Sequence, residues 1–283
     1  MADRQLLPGK FVWYEHVSND VEKAEAFYGA LLGWKVGAFS IGDSTYDMIL
    51  SGDTMDTMIG GFVPVKSELH RSHWISYVSV EDVDAAVRMA TALGGRVVEA
   101  PSDVPELGRQ ARIADPQGAQ LCLFTNANGD PPDPPTAVGS TPFSSYKRWF
   151  WNELHTPDPN KALTFYEKTI GYSCRSMDMG PAGTYYVLVS RDGVDRGGVT
   201  SHLSRAPHWL QYVAVQDTNA IMAQARQLGA MIVQDAMDIP GVGRFGVLQD
   251  PAGAMLAVMQ PRPMGRQDAG SRSDDHVTAA GKV

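Results

Sequence analysis

Cysteine is nearly absent from this 283-residue chain: only Cys122 and Cys174 occur. Two thiols exclude a disulfide scaffold and any paired CxxC zinc motif, and they fit a reducing compartment. Long apolar runs are also missing. No stretch approaches the roughly 18 residues that span a bilayer. Met1 to Lys10 lack the apolar core of a secretory leader, so a cytoplasmic protein with no membrane partner is expected. Positive charge is in deficit: 24 Lys and Arg stand against 32 Asp and Glu, a net charge of −8. Such a chain repels phosphate backbones, so no nucleic-acid partner is expected. No P-loop and no GxGxxG fingerprint occurs, which removes the common nucleotide-cofactor readings. Glycine is plentiful, at 28 residues, and implies many tight turns.

What is present is a repeat. Phe11-Val-Trp-Tyr-Glu15, Phe27-Tyr28 and Gly33-Trp34 return as Trp149-Phe-Trp-Asn-Glu153, Phe165-Tyr166 and Gly171-Tyr172. Trp13 thus matches Trp151, and Asp20 matches Asp158. Further on, His73-Trp74 and Tyr77 match His208-Trp209 and Tyr212. Asp103 to Arg109 matches Asp238 to Arg244, and Asp115-Pro-Gln-Gly118 matches Asp250-Pro-Ala-Gly253. Matches in one order along both halves make the chain two homologous domains. We place them at residues 1–125 and 146–265. Between them, residues 126–145 form a proline-rich linker with Pro131, Pro132, Pro134, Pro135 and Pro142. Residues 266–283 read as a disordered tail.

Each domain is doubled again. Asp20 caps a helix whose apolar face is Val21, Ala24, Phe27, Tyr28 and Leu31, and Gly33 ends it. Strand-like runs follow, and the order restarts at Trp74 with a second helix capped by Asp82. The expected fold is therefore α+β: two tandem domains, each of two paired βαβββ modules. Thr45-Tyr46, Gly60-Gly61 and Gly197-Gly198 read as hairpin or close-approach positions.

Four βαβββ modules carrying these landmarks resemble the vicinal oxygen chelate superfamily of glyoxalases, bleomycin-resistance proteins and extradiol dioxygenases. The resemblance covers about residues 9–125 and 147–261. It implies a curved, cup-like sheet that binds a small molecule, and in many members a divalent metal acting as a Lewis acid. The positions aligned with that family's first-strand ligands hold Trp13, Trp151, Ile75 and Leu210. Those aligned with its last-strand ligand hold Cys122 and Ala257. None of the six matches the family's His, Gln or Glu ligands, so the standard metal site is expected to be lost.

Strand alternation nominates other residues. Positions i and i+2 share a face, so a cup-facing Trp13 brings Glu15 with it, and Trp151 brings Glu153 and His155. The same parity places His73 and Tyr77, or His208 and Tyr212, on the cup side. The candidate ligand-binding set is Trp13, Glu15, His73, Tyr77, Trp151, Glu153, His208 and Tyr212. Glu153, His155 and His208 make a displaced two-His, one-carboxylate set of a kind that suits Fe(II). The cofactor is thus none or a divalent metal.

Each candidate also has a structural reading. The two histidines at strand starts would tie turns. The two carboxylates would be paired, because an isolated one in an apolar cup is costly. Arg109 and Arg244 would fix loops, and Cys122 would act as a small hydrophobe. Three functions remain: a binder of a flat or hydrophobic molecule, a metal-dependent lyase, isomerase or dioxygenase, and a non-catalytic scaffold. The chain is either a monomer with pseudo-dimeric domains or a homodimer.

Overall fold

The computed structural model describes residues 5–41, 44–65, 71–133, 146–180, 183–201 and 206–262. The expected tail and most of the expected linker lie outside the described residues. The first domain runs β1 (Phe11–Ser18), α1 (Val21–Leu32), β2 (Lys35–Ile41), β3 (Ser44–Leu50), β4 (Met58–Pro64), β5 (His73–Ser79), α2 (Val83–Ala92), β6 (Arg96–Val104), β7 (Gly108–Ala114) and β8 (Gln120–Asn126). The second repeats it as β9 (Trp149–His155), α3 (Pro159–Ile170), β10 (Ser173–Asp178), β11 (Thr184–Val189), β12 (Asp195–Thr200), β13 (His208–Ala214), α4 (Thr218–Gln227), β14 (Met231–Ile239), β15 (Gly243–Gln249) and β16 (Met255–Pro261). This is the expected α+β fold of four βαβββ modules. No helix among the described residues is long and apolar enough to cross a membrane.

The helices begin where the side chains can cap them. The carboxylates of Asp20, Asp82, Asp158 and Asp217 each accept from a backbone N–H three residues on, satisfying one otherwise orphaned donor. Gly33 and Gly171 stop α1 and α3 in the left-handed conformation, which costs a residue without a Cβ little.

Each domain is one eight-stranded mixed sheet, in the orders β2-β3-β4-β1-β5-β8-β7-β6 and β10-β11-β12-β9-β13-β16-β15-β14. The two modules of a domain join at their first strands, β1 against β5 and β9 against β13, both antiparallel. Neither sheet closes. One face of each is concave, and Val17, Ile75, Tyr77 and Cys122 pack there in the first domain. Leu210, Tyr212, Val247, Ala257 and Met259 do so in the second.

The other faces meet each other, with the helices between them. The two main cores each draw on both domains. One joins Phe27, Tyr28, Trp34 and Trp74 to Met222, Leu248 and Val258. The other joins Val83, Val87 and Leu121 to Phe165, Tyr166 and Trp209. Thus α1 packs against α4, and α2 against α3.

The landmarks of the repeat meet across this boundary. Asp250 Oδ2 accepts from Tyr28 Oη (2.8 Å) and pairs with His16 Nε2 (2.7 Å), while Oδ1 accepts from the N–H groups of Gly253 and Ala254. In the matching place Tyr166 donates to Asp115 at 3.2 Å, and Leu154 stands where His16 does. Near the pseudo-two-fold centre Asn152 donates to Tyr14, Ser76 donates to Asn152, and Gln211 donates to Ser76.

The start of the expected linker is fastened to both halves. Asp130 accepts from Leu7 N–H and Ser79. Asp133 receives a bidentate pair from Arg196 (2.6 and 2.9 Å) and an ion pair from Lys10 (3.1 Å).

Candidate functional site

The sheet register decides which side chains enter the cups. Glu15 lies opposite Gly61 on β4 and Ile75 on β5, and Trp13 lies opposite Tyr77. Directly opposed residues share a face. Trp13, Glu15, Tyr77 and His73 therefore all belong to the concave side. In the second domain Glu153 lies opposite Gly198 and Leu210, Trp151 opposite Tyr212, and His155 opposite His208.

In each cup the glutamate is held by tyrosines. Tyr46 donates to Glu15 Oε1 at 2.8 Å and Tyr77 to Oε2 at 2.7 Å, and the Trp13 indole donates to Tyr46 Oη at 3.0 Å. In the second cup Tyr212 donates to Glu153 Oε1 at 3.0 Å. Tyr185 also reaches this carboxylate, and the Trp151 indole donates to Tyr185 at 2.8 Å. So Trp13 and Trp151, which stand at the aligned ligand positions, each orient a tyrosine that grips the carboxylate.

Tyr46 and Tyr185 were not singled out as site residues from the sequence. The signal was there in the paired glycines. Gly61 lies under the Tyr46 ring and Gly198 under the Tyr185 ring, so closely that a Cβ would overlap the phenol in either place. Gly60 and Gly197 lie against the carbonyls of Tyr14 and Asn152 in the same manner. The glycines are thus close-approach positions. Thr45-Tyr46, by contrast, is interior to β3 and not a hairpin, and its ring crosses the sheet face that the glycine leaves open.

The two carboxylates are shifted in opposite directions. Burial pushes the Glu15 carboxyl above its ordinary range, and its bonds from Tyr77 and Tyr46 offset that only in part. Burial acts on Glu153 in the same sense. Here His155 Nε2 lies 2.8 Å from Oε1, and with the two tyrosines it outweighs burial and holds the carboxyl below its ordinary range. Val17 occupies the corresponding place in the first domain.

The strand-start histidines sit at the rims. His73 Nδ1 bonds to the Arg71 carbonyl (3.0 Å) and His208 Nδ1 to the Ala206 carbonyl (2.8 Å), each tying the turn before its strand. The His208 ring also stacks on His155, with centroids 4.9 Å apart. Arg109 and Arg244 lie away from both cups. Arg109 pairs with Asp84 (2.6 Å) and Asp103 (2.8 Å), and Arg244 with Asp238 (3.0 Å).

Two tests bear on a metal. At the six aligned ligand positions the only soft donor is Cys122, buried and with its thiol pushed up to about 12 by desolvation, hence protonated. At the displaced set, His155 Nε2 lies 2.8 Å from Glu153 Oε1, and His208 lies stacked beside that ring. Among the described residues no group of three or more His, Cys, Asp or Glu side chains is disposed to hold an ion. Glu153 is engaged by His155 and two tyrosines, and His208 Nδ1 by the Ala206 carbonyl.

Comparison with known proteins agrees with this architecture. A family model described as a glyoxalase-like domain matches residues 15–124. Over 254 residues the chain is 33% identical to "Putative glyoxylase CFP32" of Mycobacterium tuberculosis, covering 89% of this chain and 94% of that protein. The chain belongs to the glyoxalase-like family.

A second relative of this glyoxalase-like protein is the anthracycline biosynthesis protein DauV of a Streptomyces species, 29% identical over 276 residues, covering 91% and 95% of the two chains. Among solved structures, the Mn(II)-bound glyoxalase of Novosphingobium aromaticivorans superposes with a TM-score of 0.57 at 17% identity, over 91% and 83% of the two chains. The 2,3-dioxygenase LapB of Pseudomonas sp. KL28 gives 0.56 at 12% identity, over 94% of each. At those identities the likeness speaks for the vicinal oxygen chelate fold alone.

Proposed function

We propose that this glyoxalase-like protein binds a small, flat or hydrophobic molecule in the cup of its C-terminal domain, against Glu153, without the metal site of its superfamily. The observation that carries this reading is the Glu153–His155 pair, set at 2.8 Å among Trp151, Tyr212 and Phe245. The aromatic walls give a flat ligand apolar area and ring stacking. The carboxylate, kept ionised by His155, accepts a hydrogen bond or a proton from an acidic hydroxyl of the ligand. His155 then stabilises the shared charge. One relative is named for the biosynthesis of anthracyclines, which are flat polycyclic compounds, and that name is in keeping with such a ligand. His208, at the rim, limits the approach to this pair from one side.

The test is tryptophan fluorescence titration of tag-free protein with a panel of planar phenols, together with elemental analysis. Saturable quenching is expected, abolished by Trp151→Ala and weakened by Glu153→Gln. A stoichiometric metal that is lost in His155→Ala and His208→Ala would replace this reading with the metal-dependent lyase, isomerase or dioxygenase. No saturable quenching by any phenol would leave the scaffold reading.

A further inference from the structure

The two cups are not equivalent, and the difference lies on one strand. On β7, Arg112 stands opposite Cys122 of β8, which in turn stands opposite Tyr77 of β5. Arg112 therefore projects into the N-terminal cup on the same face as Glu15. In the second domain the same place on β15 holds Val247, opposite Ala257. The guanidinium is largely enclosed, its side chain 12% exposed. Its Nε makes no hydrogen bond among the described residues. Its one ion-pair contact there is with Glu99, at 3.8 Å, beyond hydrogen-bond range and half in solvent.

A buried guanidinium with an unmet N–H is costly, because that donor has given up water for nothing, and its side-chain bond here is the weak one to the Cys122 sulfur. The ionisable groups that face it come from five other strands. Glu15 on β1 has its carboxyl raised by burial, Tyr46 on β3 and Tyr77 on β5 are raised likewise, and the Cys122 thiol on β8 is pushed up to about 12. Among the described residues Glu99 on β6 is the carboxylate in ion-pair contact with it. Around the guanidinium the walls are apolar: Trp13, Ile75 and Phe124. The cup thus offers a planar fork of donors inside a hydrophobic bowl.

We infer that the N-terminal cup is a second, separate binding site, in which Arg112 takes the carboxylate of a small apolar acid. A carboxylate matches the guanidinium fork with two parallel bonds, which a neutral or purely apolar ligand does not. The acid's hydrocarbon part lies on the aromatic wall, and its carboxylate displaces the distant Glu99. The C-terminal cup, with Val247 and Ala257 there, has no cation for such a ligand. The domains therefore divide two ligand chemistries between them.

Isothermal titration of the full chain with benzoate and phenylacetate, with benzamide as the neutral isostere, tests this. Both acids are expected to bind, benzamide at least about 10-fold more weakly, in line with the loss of a charge-assisted pair. Arg112→Met is expected to reduce benzoate affinity by a similar factor, with its fold verified by circular dichroism. Arg112→Lys keeps the charge without the fork and is expected to fall between them. Arg109→Gln, which removes an arginine outside the cup, is expected to leave benzoate affinity unchanged. Benzoate binding no tighter than benzamide, undiminished in Arg112→Met, or absent from the wild-type chain at millimolar concentration would each overturn the inference. Because it concerns the other cup, its failure is separable from that of the C-terminal site.

Discussion

Glu15 and Glu153 occupy one position in two copies of a module, and each is gripped by two tyrosines, yet burial wins at Glu15 and loses at Glu153. The difference is two residues further along the strand, Val17 against His155. The consequence is a difference in linkage. Glu153, with its folded-state pKa below 4.5, contributes stability that is full above that value and is lost as pH falls through the lower folded one. Glu15, raised above 4.5, contributes stability below 4.5 that is lost as pH rises through its folded value. At pH 7.5, Glu153→Gln is therefore expected to cost about 1–3 kcal/mol, the worth of hydrogen bonds to a charged group. Glu15→Gln is expected not to lower the melting temperature, since an amide still accepts from one tyrosine and donates to the other. Equal losses in paired thermal melts would refute this. Gly198→Ala belongs at the same scale. Its Cβ would overlap the Tyr185 phenol, so the ring must leave Glu153. Reduced stability and loss of the fluorescence response to phenols are expected, while alanine at Gly193, whose surroundings are open but whose φ is positive, is expected to cost only backbone strain. Strand parity was enough to place both glutamates in the cups from the sequence. It placed Tyr77 and Tyr212 beside them but did not supply Tyr46 and Tyr185, which come from strands two places away across the sheet, and one-dimensional spacing carries no such pairing.

The helices and turns were the most legible elements, and their partners the least. The capping residues Asp20 and Asp82 marked where α1 and α2 begin, and the 3.6-residue apolar stripe of α1 marked the face it buries. An apolar stripe does not name what covers it. That α1 meets α4 of the other domain, and α2 meets α3, emerges only from the packing. The same holds for the Asp-Pro-x-Gly turns, whose aspartates close their own turns with one oxygen and reach a tyrosine of the other domain with the second. His16 was readable as pointing away from the cup, but its partner Asp250, 234 residues on, was not. This element-level contact is asymmetric, and the asymmetry is testable. Burial raises the Asp250 carboxyl, but His16, Tyr28 and backbone N–H groups together hold it below its ordinary value. His16→Leu reproduces the Leu154 arrangement of the other copy and leaves Asp250 one bond short. It is expected to destabilise the chain by about 1–3 kcal/mol in urea titrations at neutral pH. As far as Asp250 is concerned, that penalty is full above pH 3.8 and fades as pH falls through the lower folded value. A penalty that grew on acidification would show that the pair does not work in this way.

At the scale of the whole molecule, the repeat makes the chain a covalent pseudo-dimer, and the two domains share their cores. Neither main hydrophobic cluster belongs to one domain: each takes a helix and sheet face from both. A domain cut free would expose Phe27, Tyr28, Leu31, Val83 and Val87 to water, each large side chain worth roughly 1.5–3 kcal/mol of burial. An isolated monomer of that kind is not expected to be stable. The pseudo-two-fold relation offers a way out, because a two-fold contact is self-complementary. In a homodimer of residues 1–133, α1 of one copy would take α2 of the other in place of α4. Tyr28 and His16 would meet the Asp115 carboxylate of the second copy in place of Asp250, since Asp115 and Asp250 are equivalent turn residues. The N-terminal half is therefore expected to purify as a folded homodimer whose melting temperature rises with concentration. The full chain, with both halves of each core tethered, is expected to unfold in one concentration-independent transition. Light scattering after size-exclusion chromatography, with melts at several concentrations, decides the matter. A folded, monomeric N-terminal half would mean that the shared cores are dispensable to each domain, and the dependence of one domain on the other would have to be abandoned.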